Sequence, residues 1–268
     1  MKPGVKTSTR AWILLSLAFT VVATFPVRID ASPVAQPGYI VLGDSIDSGV
    51  GDTDSTNGVG YVSPFLDYLQ QFLDTDVDLH NLSEPGAESL DILLTQLAPA
   101  TAEIKNHQPY GVVVSWGGGG NDLRHFIASP EAATCLRIRS CLARLNALLA
   151  EVEQHADVTL RTLRSVAGSE AVVLVRTEYN PLLKAGCDPD GRAALGNAAL
   201  EGAPGTLLTR GLNDRLRALA DKYGAKVVEI FEAFALYPDA LISADCIHPN
   251  DAGYQVILAE FISAFPAP

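Results

Sequence analysis

The chain has few basic residues and none of the common cofactor motifs. Its 268 residues include 19 Lys and Arg against 31 Asp and Glu, which gives a formal net charge of -12. Nucleic-acid binding depends on clustered Lys and Arg, so we expect no nucleic-acid partner. The sequence contains no CxxC pair, no HExxH motif and no glycine run followed by Lys-Ser or Lys-Thr. We therefore expect no metal, no nucleotide and no organic cofactor.

The chain also lacks an apolar run of the ~20 residues that a membrane-spanning helix needs. The apolar run 11–25 ends at Pro26 and follows three basic residues, Lys2, Lys6 and Arg10. This arrangement is typical of a secretory signal peptide, with a transmembrane anchor as the alternative. We predict a signal peptide over 1–31, a short linker over 32–38 and one globular domain over 39–268. The protein is then expected to be secreted, extracellular or periplasmic, monomeric and without a membrane span after cleavage.

Only four cysteines are present, and an even number fits an exported chain in which disulfides persist. Cys135 and Cys141 flank a short basic stretch, so we predict a small loop closed by these two residues. Cys187 would then pair with Cys246. Three pairings are formally possible, and four free thiols are the alternative if the chain is not exported.

From Tyr39 onward, short apolar segments alternate with longer amphipathic ones, which indicates βαβ units and a mainly parallel sheet. The predicted strands are 39–42, 77–82, 111–116, 171–175 and 226–230. The predicted helices are 61–73, 88–104, 141–166, 205–223 and 251–265. We expect a three-layer α/β/α sandwich with a five-stranded flavodoxin-like sheet. The segment 180–205, rich in Gly, Ala and Pro, is predicted to be a long loop.

A serine follows the first predicted strand, in the sequence Gly43-Asp44-Ser45. Ligands of open parallel sheets bind beyond the carboxyl ends of the strands, so this hydroxyl lies where a nucleophile is useful. Serine needs an adjacent general base, usually a histidine oriented by a carboxylate. Taken alone, however, such a tripeptide is more often an ordinary turn.

A matching base is present in Asp245-Cys246-Ile247-His248-Pro249, just before the last predicted helix. A carboxylate and an imidazole three positions apart can share a hydrogen bond, which leaves the other ring nitrogen free to face a serine. Asp245 would fix the tautomer of His248 and stabilise its imidazolium. Pro249 suits the first turn of the helix. The alternative is a helix cap beside a surface histidine.

Two more segments at strand ends offer donors to a developing oxyanion. Four glycines at 117–120 precede Asn121, whose side-chain amide can donate a hydrogen bond. Gly86 follows the second predicted strand, and its backbone amide could donate to the same oxygen. A flexible turn and a phosphate cradle are the alternatives for the glycine run.

These four blocks resemble the SGNH hydrolases, also called the GDSL lipase/esterase family, over nearly all of 39–268 and in the family's order. The family's catalytic serine corresponds to Ser45, and its oxyanion glycine to Gly86. Its Gly-x-Asn-Asp block contains Asn121, and its Asp-x-x-His-Pro block contains Asp245 and His248.

The resemblance implies a triad of Ser45, His248 and Asp245, with an oxyanion hole formed by the amides of Ser45 and Gly86 and the side chain of Asn121. It implies two-step hydrolysis of a carboxylic ester. A lipid or short-chain ester is the expected substrate, and a carbohydrate O-acetyl ester is the next. A non-catalytic flavodoxin-like binding module and a nucleotide-binding domain are alternatives from other classes. The complete residue set disfavours the first, and the missing Walker lysine disfavours the second.

Several other polar and aromatic residues are predicted to have structural rather than catalytic roles. Asp44 and Asp122 are expected to hydrogen-bond the loops, and Asp47-Ser48-Gly49 is predicted to be a turn because no second aspartic-protease motif is present. The other histidines are predicted to be structural or exposed: His80, His107, His125 and His155. Trp116 and Tyr179 follow strands and are expected in the acyl pocket or the core. Ile46 replaces the usual leucine of the resembled family, with similar volume.

Overall fold

Five parallel strands form one sheet in the computed structural model, which describes residues 36–53 and 60–265. The strands are β1 (Gly38–Leu42), β2 (Asp78–Asn81), β3 (Val112–Trp116), β4 (Val172–Arg176) and β5 (Lys226–Val228). Their spatial order is β2-β1-β3-β4-β5, and every neighbouring pair is parallel. The flavodoxin-like prediction is confirmed. The predicted signal peptide lies outside the described residues, and β1 begins one residue before the predicted domain start.

Both faces of the sheet are buried because apolar residues occupy successive positions along the inner strands. In β1, Ile40 and Leu42 belong to one core cluster, whereas Tyr39 and Val41 belong to the other. Side chains alternate between faces along a strand, so a continuous apolar run requires a helical layer on each side. The three-layer arrangement follows directly from this pattern.

Nine α-helices supply these layers within the described residues. They are α1 (Val62–Leu73), α2 (Leu97–His107), α3 (Gly120–Ile127), α4 (Arg139–Ala167), α5 (Ala193–Glu201), α6 (Leu212–Lys222), α7 (Phe231–Leu236), α8 (Pro238–Leu241) and α9 (Asp251–Ala264). A helical turn, Ser89–Asp91, and a π-helical turn, Ile92–Gln96, lead into α2, and 3₁₀ turns occupy Pro130–Arg137 and Pro181–Leu183. Among these segments, no helix is long and apolar enough to cross a membrane.

The main helices pack on one face of the sheet or on the other. Helices α1 and α9 cover one face, where Phe65 of α1 meets Tyr39 at 5.4 Å and Phe261 of α9 at 5.3 Å between ring centroids. Helices α2, α4, α5 and α6 cover the other face. The aromatic contacts are edge-to-face, the arrangement that the ring quadrupoles favour.

Two local predictions are wrong. The segment 180–205 is not a continuous loop, because Leu195, Ala199 and Leu200 bury one side of α5 against the core. Pro249 is not in the first turn of α9. It forms an isolated antiparallel bridge with Ile242, and the side chain of Asn250 caps the helix by accepting the amide N–H of Gly253 at 3.0 Å.

Both predicted disulfides are present. Cys135 and Cys141 are joined with a Cα–Cα separation of 5.2 Å, and Cys187 and Cys246 with 5.4 Å. The first bridge closes a short loop on one face of the core. The second connects the loop before α5 to the loop before α9, so it crosses the carboxyl edge of the sheet.

Candidate active site

The turn that carries Ser45 leaves β1 at the carboxyl edge of the sheet and is held by side-chain hydrogen bonds to its backbone. The Gln96 side chain clamps Gly43, accepting its N–H and donating to its carbonyl, both at 2.9 Å. A Cβ at Gly43 would lie 1.9 Å from Asp47 Oδ2, so only glycine fits there. The amide N–H of Ile46 donates to Asp44 Oδ1 at 2.9 Å. These contacts fix the orientation of Ser45, which is 8% exposed.

The segment that carries His248 lies near the other end of the chain and is also fixed by several contacts. The Ser243 amide donates to the His248 carbonyl at 2.8 Å, beside the bridge described above. The Tyr179 hydroxyl donates to the Ile247 carbonyl at 2.5 Å. Cys246, at φ 62°, is anchored through its disulfide to Cys187. A non-glycine residue persists in this left-handed conformation only where its surroundings enforce it.

Three side chains form a continuous hydrogen-bonded chain between these two segments. His248 Nε2 lies 2.9 Å from Ser45 Oγ, and His248 Nδ1 lies 2.6 Å from Asp245 Oδ2. The serine and the histidine are 203 positions apart in sequence. A carboxylate on one ring nitrogen makes that nitrogen the N–H donor, so the other carries the lone pair that faces the serine.

The Asp245 carboxylate is held in its charged form. Partial burial raises its pKa, but this is outweighed by hydrogen bonds from Ser243, His248 and Ile247, so the pKa lies well below its ordinary value. Its Oδ1 accepts three donors: the Ser243 hydroxyl at 2.5 Å and the amides of Ile247 and His248 at 2.9 and 3.0 Å. A carboxylate with these donors keeps both its charge and its orientation.

A half-open cavity of about 340 Å³ lies next to Ser45 and His248. Its apolar lining includes Ile46, Leu123, Ile127, Leu182 and Leu200. Tyr179 lines the cavity, whereas Trp116 is 1% exposed and packs in the core. The volume is within the range of pockets that enclose small organic ligands.

Asn121 also lines this cavity, and Gly86 lies on the loop beside it. The Asn121 amide donates to the Ala87 carbonyl at 3.0 Å, and its position near the start of α3 is fixed by Gly119 at φ 94°. Gly86 has φ 86° and nothing within 4 Å of the position that a Cβ would occupy. Its loop is joined to the serine turn because the Glu84 amide donates to the Gly43 carbonyl at 3.2 Å. Gly86 itself is not among the cavity-lining residues.

Asp44 and Asp122 were expected to hydrogen-bond the loops, and both do so: Asp44 accepts the Ile46 amide, and Asp122 accepts two donors of Ser89. Asp122 accepts the Ser89 amide at 2.8 Å and the Ser89 hydroxyl at 2.7 Å, and burial raises the pKa of this carboxyl. His155 Nδ1 contacts the same hydroxyl at 2.9 Å. The loop that contains Gly86 is thus tied to α3, the helix that carries Asn121.

A buried ion cluster beneath the serine turn was missed by the sequence analysis. Arg176, fully buried at the end of β4, lies 3.1 Å from Asp47, 3.1 Å from Glu178 and 3.6 Å from Asp44. Asp47 lies in a turn, but it is 1% exposed rather than solvated, and it also accepts the Tyr61 hydroxyl at 2.5 Å. The signal in the sequence was an arginine closing an otherwise apolar strand.

The charges in this cluster do not balance when all three carboxylates are ionised. Burial raises the pKa of Asp44 to about 6 and that of Glu178 to about 8, although Arg176 opposes both shifts. One positive charge cannot neutralise three buried carboxylates, so protonation of Glu178 relieves the excess.

Stability is therefore expected to fall as the pH rises across the range in which Glu178 loses its proton. The pKa of this group is 4.5 when unperturbed and about 8 when folded. Its contribution to the free energy of unfolding is thus fully present below about pH 4.5 and is lost on approaching pH 8. Glu178→Gln should flatten this part of the profile in urea unfolding measured across that window, and the exposed Glu151→Gln should not. An unchanged slope in Glu178→Gln would contradict the assignment.

The Cys187–Cys246 bridge is expected to stabilise the fold more than the Cys135–Cys141 bridge does. Their sequence separations are 59 and 6 residues, and the chain-entropy model then predicts a difference of roughly 2 kcal/mol in the free energy of unfolding. Paired Cys→Ala variants at each bridge, compared by urea unfolding, measure this difference. Only the Cys187/Cys246 pair is expected also to lower the rate of ester hydrolysis, since Cys246 lies between Asp245 and His248. Equal effects of the two variants on activity would argue against a positioning role.

The parallel sheet and the hydrogen-bonded serine and histidine at its carboxyl edge are typical of ester hydrolases. The sequence model of the GDSL-like lipase/acylhydrolase family matches residues 41–256. The chain belongs to this family and is a carboxylic ester hydrolase. No curated protein sequence matches the chain.

Solved structures of esterases and lipases share the fold. A lipase from a goat rumen metagenome aligns with a TM-score of 0.66 and 21% identity, over 86% of this chain and 98% of that one. An extracellular lipase from Streptomyces rimosus aligns with a TM-score of 0.60 and 22% identity, over 85% of this chain and 99% of that one. An acetyl xylan esterase from Geobacillus stearothermophilus aligns with a TM-score of 0.54 and 17% identity, over 85% of this chain and 94% of that one.

Proposed function

We propose that this chain hydrolyses carboxylic esters with Ser45 as the nucleophile, His248 as the general base and Asp245 as its orienting carboxylate. The observation that carries the proposal is the 2.9 Å contact between His248 Nε2 and Ser45 Oγ, backed by Asp245 on Nδ1. Serine becomes a useful nucleophile only when such a base accepts its proton. The cavity beside the pair gives an ester access to both atoms.

The reaction proceeds in two acyl-transfer steps. Ser45 Oγ attacks the ester carbonyl while His248 Nε2 takes the hydroxyl proton, and the tetrahedral intermediate collapses as the same proton passes to the departing alcohol. Water then attacks the acyl-serine, with His248 again accepting a proton and returning it to Ser45. Asp245 stays ionised throughout and stabilises the imidazolium, in agreement with its lowered pKa.

Three donors are assigned to stabilise the negative charge that develops on the ester carbonyl oxygen. They are the amides of Ser45 and Gly86 and the side chain of Asn121. Asn121 supports this role because its amide is oriented by Ala87 and it lines the same cavity as Ser45. Gly86 supports it through a loop fastened both to the serine turn and to α3. Donors fixed in advance stabilise an oxyanion more than reorienting water does.

Removal of the Asn121 donor is expected to slow the chemical step with little effect on substrate binding. Asn121→Ala should lower kcat roughly 10²–10³-fold while KM changes much less, because the lost hydrogen bond forms mainly in the transition state. Steady-state kinetics on a p-nitrophenyl ester test this. Asn146→Ala, which removes an amide on α4 that contacts Arg215, is the matched control. A change confined to KM would assign Asn121 to substrate binding instead.

The favoured substrate is a lipid or other ester with an acyl chain longer than acetyl. The cavity is lined mainly by apolar side chains and is larger than an acetyl group needs. The fold likeness does not decide the substrate, because the compared enzymes include lipases and an acetyl xylan esterase. A carbohydrate O-acetyl ester is the second candidate, since the cavity lining also includes Arg124, Asp188, Asp190 and Arg192.

The test is hydrolysis of p-nitrophenyl esters of graded acyl length. We expect kcat/KM to rise from acetyl to a medium-length chain, and we expect Ile127→Trp, which narrows the cavity, to move the maximum to shorter chains. Leu94→Trp is the control, because Leu94 is 68% exposed and does not line the cavity. A maximum at acetyl that Ile127→Trp leaves unchanged would favour the carbohydrate O-acetyl ester.

We also propose that residues 1–31 are a signal peptide, that 32–38 are a linker and that 39–268 are the catalytic domain of a secreted enzyme. The two disulfides support export, since such bonds persist in oxidising compartments. The described residues from 36 onward belong to one compact unit. N-terminal sequencing of enzyme recovered from culture medium or periplasm tests this. Recovery of chains that begin at Met1 would contradict cleavage.

A further inference from the structure

Two histidines and an aspartate come together at the sheet edge formed by β2, away from the proposed active site. Asp78 and His80 lie two positions apart on β2 and so on the same face of the strand. His107 is the last residue of α2. Both histidines were predicted to be structural or exposed, and they lie 27 positions apart in the sequence.

The three ligand atoms have the spacing of atoms around one small cation. His80 Nε2 lies 3.1 Å from His107 Nε2, and Asp78 Oδ2 lies 3.4 Å from the first and 3.6 Å from the second. Ligand atoms 2.0–2.2 Å from a tetrahedral zinc ion are about 3.3–3.6 Å apart. Glu103 Oε2, on the same helix as His107, lies 3.6 Å from His80 Nε2 but outside the group of three mutually close ligand atoms, so water is the expected fourth ligand.

The lone pair of His107 is directed into this cluster by its other ring nitrogen. Nδ1 lies 3.0 Å from the Gln36 carbonyl, which can only accept, so Nδ1 carries the proton and donates. In the neutral ring Nε2 is then free to bind a metal. A carbonyl behind a histidine ligand is the common arrangement for fixing ring orientation in metal sites.

The backbone around the cluster is held before any ion binds. The Asp78 amide donates to the Pro37 carbonyl at 2.9 Å, and β2 pairs with β1 so that Asp78 lies opposite Gly38. The His107 ring fills the space above Gly38, where a Cβ would lie 2.7 Å from its Cγ. Ligands from β2 and α2 therefore meet without rearrangement, which lowers the entropic cost of binding.

The cluster is open to solvent, and its charge suits a dication. The side chains of Asp78 and His80 are 47% and 25% exposed, because β2 is an edge strand. The Asp78 carboxylate in the cluster and the Glu103 carboxylate beside His80 together match a charge of +2. Nitrogen and oxygen ligands in this proportion are typical of zinc, whereas calcium and magnesium prefer oxygen alone.

We propose that Asp78, His80 and His107, with water as the fourth ligand, form a zinc site that fastens the edge strand β2 to α2. The site lies toward the amino ends of the strands, whereas Ser45 follows a carboxyl end. Its role is structural. Binding to the folded state alone raises the free energy of unfolding according to the ratio of free zinc to Kd.

The test is titration of the purified, chelator-treated enzyme with ZnSO₄, followed by calorimetry and thermal unfolding. We expect one zinc per chain at this cluster and a Tm increase of roughly 5–10 °C at a hundredfold excess over Kd. Co²⁺ in place of zinc should show the visible absorption of a tetrahedral complex. His80→Ala and His107→Ala should each weaken binding at least tenfold and abolish that absorption.

Two other histidine–carboxylate pairs supply matched controls. His125 lies 2.5 Å from Glu88, and His248 lies 2.6 Å from Asp245, each without a second imidazole. His125→Ala and His248→Ala should therefore leave the zinc affinity of the cluster unchanged. Should His107→Ala fail to fold, Asp78→Asn at an exposed side chain gives the same comparison, with Asp76→Asn as its control. Absence of zinc binding, or binding that survives His80→Ala and His107→Ala, would overturn the proposal and leave a hydrogen-bonded histidine pair.

Discussion

Ser45→Ala is expected to lower kcat for ester hydrolysis by roughly 10⁴–10⁶-fold. The expectation follows from removal of the only atom of the site that forms a bond to the acyl group, and serine hydrolases in which a triad member is removed lose activity on this scale. The residual rate would come from the oxyanion donors and substrate binding. Burst kinetics with a p-nitrophenyl ester should lose their acyl-enzyme phase in the variant.

Ser48→Ala is the matched control for this experiment. Ser48 is three positions further along the same turn, and its hydroxyl donates to the Asp44 carbonyl at 2.9 Å rather than contacting His248. Its removal should cost less than a factor of ten in kcat. Both variants should unfold within a few degrees of the parent. Comparable kcat values for Ser45→Ala and the parent enzyme would refute the assignment of the nucleophile.

Arg176→Met is expected to lower the free energy of unfolding by about 3–5 kcal/mol, although the residue is fully buried and does not line the cavity. The change removes the one positive charge in a cluster with Asp44, Asp47 and Glu178 while it keeps most of the side-chain volume. Loss of one partner of a buried ion cluster is costly because the remaining charges stay desolvated. Urea unfolding measures the loss.

The exposed ion pair between Arg144 and Glu131 provides the comparison. Arg144→Met should change the free energy of unfolding by less than about 1 kcal/mol, since solvent screens that pair. Arg176→Met should also lower kcat, because Asp44 and Asp47 hold the turn that carries Ser45. A stability loss as small as that of Arg144→Met would show that the cluster is not what holds the turn.

The sheet could be predicted closely from the sequence because its inner strands are buried on both faces. Such strands give uninterrupted apolar runs such as 39–42, and Gly38–Leu42 is the strand observed. Helix α5 was predicted as loop because Gly, Ala and Pro around it signal turns, whereas its stability comes from burial of Leu195 and Leu200. Tertiary packing of this kind leaves a weak local pattern.

The polar residues of the two proposed sites and of the buried cluster also fall into two groups, those that could be predicted from the sequence and those that could not. Ser45, Asn121 and His248 follow strand ends or precede helices within short recognisable blocks, so their sequence context marked them. Arg176 and the pair His80 and His107 have no such context, because Asp47 lies 129 positions from Arg176 and the two histidines lie 27 positions apart. Only the folded arrangement brings these charges and ring nitrogens within contact distance.

The separation of 203 positions between Ser45 and His248 also sets the order in which the enzyme becomes active during its synthesis. A nascent chain can complete β1 and its serine turn early, yet it has no base for the hydroxyl until the segment after Ile242 has emerged and α9 has packed against α1. On the proposed mechanism, an unfinished polypeptide would therefore hydrolyse no ester. Activity begins only when the two ends of the domain have met.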